Sequence, residues 1–254
     1  MNVGFSRTGE GPIRVIVLHG WLSDSGVYDQ VKPFFDPAKY SLIFMDFRGY
    51  GLSTGHSGAY SIDEIAQDVL SVADHVGWDR FHVVGHSMGG MVMQKVALLA
   101  PQRVLSGVAT TPVPASGFEM DDGTAAFFQS SGEDDAALAE IFNVLTGKLH
   151  AASVLNVLVD RARQGTTKEA YLAYLNAWTK TDFAADVAAI ETPILVIAGA
   201  NDGALGPDHM EKTYLVQLKN VQMQVINGAG HYPMLETPIE FFTKLDAYLT
   251  AQSA

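Results

Sequence analysis

The chain reads as an α/β protein: a mostly parallel, doubly wound sheet into which a helical block is inserted late. Three observations predict this. Short β-branched runs alternate with amphipathic stretches of helical length, the pattern of strands buried on both faces. The alternation stops over residues 112–186, where no strand-like run occurs. It then resumes to the end of the chain. The division expected is a first core segment over 1–111, a helical cap insertion over 112–186 and a second core segment over 187–254.

In order, residues 1–12 have room for one edge strand. Ile13–Leu18 is a β-branched run ending in His19-Gly20-Trp21. Ser23, Asp24 or Ser25 can cap a helix running towards Phe35, closed by Asp36-Pro37. Tyr40–Met45 is the next strand. Ser61 with Glu64 makes a capping box for a helix whose Ile62, Ile65, Ala66, Val69, Val72, Ala73 and Val76 share one face. Residues 81–84 form a strand, 88–100 a helix stopped by Pro101, and 104–109 a further strand. In the inserted block, helices are expected near 125–130, 134–146, 151–164 and 168–179. Its first half is acidic, with Glu119, Asp121, Asp122, Glu133, Asp134 and Asp135. Strands over 193–199 and 221–226 and a helix over 238–249 complete the core.

Composition excludes several function classes. The net charge of −12 and pI near 4.9 give no electrostatic footprint for nucleic acid or anionic lipid. The absence of cysteine rules out disulfides, thiolate metal sites and a cysteine nucleophile. His75 and His82 have no partner at metal-ligand spacing, so neither metal nor cofactor is expected. The N-terminus lacks a basic segment followed by an apolar core, and no run approaches membrane-spanning length. A soluble cytoplasmic protein acting on a small molecule is the expectation.

The chemistry lies in the loops. Gly85-His86-Ser87-Met88-Gly89 fits G-x-S-x-G between a strand and a helix, the setting of a nucleophile elbow. A serine at so sharp a turn is strained, but its hydroxyl stands clear at a helix N-terminus. Such a hydroxyl needs a base, and the base an orienting carboxylate. Asp202 follows one buried strand in Gly199-Ala200-Asn201-Asp202, and His231 follows another in Gly228-Ala229-Gly230-His231. Asp186 and Asp208 are rival carboxylates, but neither follows a strand directly. Among the other polar residues, His19 is expected to be structural, His86 to pack or line a pocket, and Asp46 and Arg48 to tie loops together. Phe127, Phe128 and Trp178 could line a cavity or simply pack.

The order Ser87, Asp202, His231 resembles the nucleophile–acid–base order of the α/β-hydrolase family. So do His19-Gly20, the Asp46-x-Arg48-Gly49-x-Gly51-x-Ser53 loop and the turns carrying Asp202 and His231. The resemblance covers nearly the whole chain. It implies a serine carboxylesterase with a helical cap, and an oxyanion hole from the backbone N–H groups of Trp21 and Met88. Family members usually begin with a hairpin, so this sheet is expected to lack its first strand. Ser87 argues against the dehalogenases and epoxide hydrolases, which carry aspartate there. Hydrolysis of a C–C bond or a lactone stays open, although Tyr232 stands where C–C hydrolases tend to have tryptophan. So does a slow-turnover small-molecule receptor, whose triad would look the same.

Overall fold

The computed structural model describes residues 3–253. Its frame is a seven-stranded sheet: β1 (Phe5–Thr8), β2 (Ile13–Leu18), β3 (Tyr40–Met45), β4 (Phe81–His86), β5 (Val104–Thr110), β6 (Ile194–Gly199) and β7 (Val221–Ile226). The spatial order is β1-β3-β2-β4-β5-β6-β7, and every pairing is parallel except the edge pair β1–β3. β3, β4 and β6 are buried along their whole length, which explains why they read as largely apolar runs rather than alternating ones. β1 is the single strand ahead of β2 among the described residues, as the short, glycine-punctuated start suggests. The remaining two N-terminal residues, Met1 and Asn2, lie outside the described residues.

Helices α1 (Ile62–His75) and α2 (Met88–Leu99) pack on each other and flank the central strands. Between β5 and β6 come α3 (Asp122–Ser130), α4 (Asp135–Leu145), α5 (Ala152–Gly165) and α6 (Lys168–Lys180), with no strand among them. The acidic residues of this block have local work: Asp121 and Asp134 accept backbone N–H bonds as the N-caps of α3 and α4. The core closes with α7 (Pro207–Lys212), α8 (Tyr214–Gln217), α9 (Pro233–Glu236) and α10 (Pro238–Ala251). None of these helices is long and apolar enough to cross a membrane.

Two local expectations need correction. No α-helix spans Ser23 to Phe35; the segment makes two 3-10 turns, Ser25–Tyr28 and Lys32–Phe34. Asp24 does cap the first turn through the Gly26 N–H, but Pro33 has no N–H to continue a helix beyond it. The capping box of α1 is only half formed. Ser61 Oγ accepts the Glu64 N–H at 3.1 Å, whereas the Glu64 carboxylate takes the N–H of Tyr60 at 2.9 Å. Tyr60 has φ of 51°, and this turn offers its own amide in place of that of Ser61.

A buried histidine in β4 makes stability pH-dependent. His82 bonds Ser106 Oγ through Nδ1 and Ser253 Oγ through Nε2, and burial, helped by Arg80, lowers its pKa to about 4. The unfolded chain therefore binds more protons than the folded one between its ordinary value of about 6.5 and pH 4. The contribution of His82 is complete above that window and is lost as pH falls through it, by at most about 3 kcal/mol. His82→Gln should flatten the plot of Tm against pH over this range. Parallel plots for the two proteins would show that His82 is not responsible.

Candidate active site

The strand order reverses between β2 and β4: from β2 the chain goes to β3 on one side and then to β4 on the other. In open α/β sheets, the crevice beyond the carboxyl ends of strands at such a point is where ligands bind. Here those two ends carry His19-Gly20-Trp21 and Ser87. The two loops touch. A Cβ built on Gly20 would stand 3.0 Å from Ser87 Cβ and 2.8 Å from His86 Nδ1.

Ser87 has φ of 54° and ψ of −119°, a conformation costing on the order of 1–3 kcal/mol for a residue with a side chain. The surroundings enforce it. Its N–H donates to Thr110 O at 3.0 Å, and its carbonyl accepts from Gly90 and Val113. The turn is so tight that a Cβ on Gly85 would lie 2.1 Å from Gly89 O, which is why glycine flanks the serine. Ser87 is thus the N-cap of α2, and Met88 is its first residue, whose N–H has no intrahelical acceptor.

The loop after β2 is fixed by hydrogen bonds. His19 is fully buried; its Nε2 accepts the Phe47 N–H at 3.0 Å, so Nδ1 carries the proton and donates to Gly20 O at 2.8 Å. Burial lowers the pKa of this imidazole and keeps it neutral. The Gly20 carbonyl and the Trp21 N–H share one planar trans peptide and point in opposite directions. Holding the carbonyl therefore aims the amide. Trp21 O is held in turn by Tyr50 OH at 2.7 Å, while Trp21 Nε1 donates to Tyr171 O in α6.

Asp202 and His231 come together from strands β6 and β7. Asn201 N–H donates to Ala229 O, joining the two turns, and His231 Nδ1 lies 2.6 Å from Asp202 Oδ2. Asp202 Oδ1 accepts the N–H groups of Ala204 and Leu205 at 2.9 and 3.0 Å. Both side chains are buried, so this carboxylate is retained by three donors rather than by water. Neither rival carboxylate has that contact: Asp208 lies in α7, and Asp186 precedes a 3-10 turn.

Ser87 and His231 line one cavity. Its other walls are Trp21, Leu22, His86, Val113, Phe118, Phe128, Leu145, Trp178, Ala204, Leu205 and Tyr232, with no lysine, arginine or carboxylate. Phe128 and Trp178 line the cavity and flank the Trp21 ring, with centroids at 5.9 and 5.6 Å; Phe127 is not in the lining. His86 is a wall residue, as its position beside the serine suggests. Asp46 and Arg48 serve as loop ties. Asp46 accepts from Ser25 N and Leu52 N, and Arg48 forms a two-pronged pair with Asp68 at 2.7 and 2.8 Å. Among the described residues no cluster of three or more His, Asp or Glu is placed to hold a metal.

Sequence reasoning missed Glu236. Its buried carboxylate accepts Gly230 N–H at 3.0 Å and Tyr232 N–H at 2.8 Å, bracketing His231, and His150 reaches it at 3.1 Å. The only sequence signal is a glutamate beside a proline-started helix, which surface helices share.

A parallel sheet with a strained serine and a carboxylate–imidazole pair at its strand ends is the architecture of the α/β class of hydrolytic enzymes. A family model described as alpha/beta hydrolase fold matches residues 13–238, and the chain belongs to that family. It is 28% identical over 255 residues to a pimeloyl-[acyl-carrier protein] methyl ester esterase of Serratia marcescens, covering 96% of each chain. It is also 28% identical over 247 residues to a 2-hydroxy-6-oxononadienedioate/2-hydroxy-6-oxononatrienedioate hydrolase of Cupriavidus pinatubonensis, covering 90% of this chain and 84% of that one. The fold is similar to that of an esterase from Exiguobacterium antarcticum, with a TM-score of 0.87 at 19% identity over 98% of this chain and 95% of that one. The protein is a hydrolytic enzyme with esterase relatives.

Proposed function

We propose that the protein hydrolyses carboxylic esters of small molecules through an acyl-enzyme on Ser87. The observation that carries this is the His231–Asp202 pair at 2.6 Å, with the imidazole lining the same cavity as a strained elbow serine. Ser87 Oγ attacks the ester carbonyl while His231 Nε2 takes its proton, and Asp202 stabilises the imidazolium. The negative charge that develops on the carbonyl oxygen falls to the N–H groups of Trp21 and Met88. Collapse breaks the C–O bond, and the alcohol leaves with the proton from His231. A water deprotonated by His231 then attacks the acyl carbon, and the acid leaves as Ser87 recovers its proton.

Residues 112–186 act as a cap in this reading, since Phe128, Leu145 and Trp178 are cavity walls. The apolar lining suits uncharged groups on both sides of the ester. A dicarboxylate of the kind named for the Cupriavidus relative would find no cation there, which favours ester over C–C hydrolysis. The reading is tested by trapping. A fluorophosphonate should add one phosphonyl group, on Ser87, with activity falling in proportion to label. A label on another residue, or full turnover after stoichiometric labelling, would sink it.

A further inference from the structure

The main-chain carbonyl of His231 accepts two hydrogen bonds, from His86 Nε2 at 2.9 Å and from Thr111 Oγ1 at 2.8 Å. A carbonyl only accepts, so His86 is the tautomer protonated on Nε2, and its buried Nδ1 has no partner among the described residues. Burial, with His231 nearby, pushes the pKa of His86 well below its ordinary value and favours the neutral ring. The two donors come from the ends of adjacent strands. His86 is the last residue of β4, directly before Ser87, and Thr111 follows the last residue of β5.

Thr111 is unusual in its backbone. Its φ is 40°, a region that β-branched residues avoid, and it is fully buried. Its N–H donates to Ile197 O at 2.8 Å, in the strand that leads to Asp202. A strained threonine kept where asparagine or glycine would fit more easily invites a reason in its side chain. Among the described residues, the only acceptor of its hydroxyl is His231 O.

We infer that Thr111 and His86 are positioning residues that fix the main chain of His231 relative to Ser87. The clamp ties the base to the strand that carries the nucleophile, while Thr111 also holds the strand that leads to the acid. The imidazole then swings from a fixed Cα and needs no search at each proton transfer. Misplacement by about 1 Å at a reacting group can cost about 100-fold in rate. This inference rests on His231 being the base.

Thr111→Val keeps the side-chain shape and removes the hydroxyl. Its kcat on a short p-nitrophenyl ester should fall about 10- to 100-fold. KM should stay unchanged, because His231 acts in both acylation and deacylation and both slow together. Thr111→Ser restores the donor and should return kcat to within about threefold of wild type. Thr111→Gly relieves the backbone and should lose kcat as the valine variant does, which covers the case in which the valine variant does not fold. Wild-type kcat in the valine or glycine variant, or a serine variant as slow as valine, overturns the clamp. If the wild type has no hydrolysis that depends on Ser87, the esterase reading fails instead, and phosphonate labelling separates the two failures.

Discussion

Ser87→Ala should lower kcat for a short p-nitrophenyl ester by about a million-fold, the scale reached when a serine hydrolase loses its nucleophile. The residual rate is that of water in a site that still holds its amide donors, about a thousandfold or more above solution. Stability should hardly move. Alanine pays the same backbone penalty as serine at φ of 54°, and among the described residues the Ser87 hydroxyl has no hydrogen bond that supports the fold. The comparison is therefore clean: near-wild-type Tm with activity lost. Single-turnover measurements with the variant should show no burst of nitrophenol. A variant with more than about a tenth of wild-type kcat would remove Ser87 from the mechanism and leave the strained elbow without a purpose.

Much of the architecture could be read before any coordinates, because it rests on local patterns. β6 is apolar throughout and β4 is apolar at Phe81, Val83 and Val84, and the helices of 112–186 announce themselves by apolar residues at helical spacing. Ser87, Asp202 and His231 are visible for the same reason: each follows a strand within a few residues, so each lies at one edge of the sheet. What could not be read is set by contacts between distant segments. The bond from Thr111 to His231 spans 120 positions, and threonine at positive φ contradicts its own propensity. Glu236 looks like an ordinary first-turn carboxylate until the His231 loop folds against it. The 3-10 turns over Ser25–Phe34 show a lesser failure, in which a good cap at Asp24 outweighed Pro33. Even the role of His19 was half legible. Its structural nature follows from the sequence, but its hold on the peptide that carries the Trp21 amide does not.

Asp202→Asn should cost about ten-thousand-fold in kcat, through a proton on the wrong nitrogen rather than through lost shape. The asparagine amide has one oxygen and one NH2 group to place where the carboxylate had two acceptors. Oδ1 faces two main-chain donors, Ala204 N–H and Leu205 N–H, so the asparagine oxygen must take that side. The NH2 group is left facing His231 Nδ1, at the place where Oδ2 accepted at 2.6 Å. Nδ1 then has to accept, and the ring proton moves to Nε2, the nitrogen that in the proposed mechanism must be free to take the serine proton. The imidazolium formed during attack also loses its counter-charge in a buried site, where that charge matters most. Binding depends on the apolar walls and should survive, so kcat falls while KM stays near its wild-type value. Nitrogen-15 chemical shifts of His231 should show the tautomer exchanged in the variant. Wild-type tautomer together with wild-type kcat in Asp202→Asn would mean that the 2.6 Å pair holds the fold and not the base.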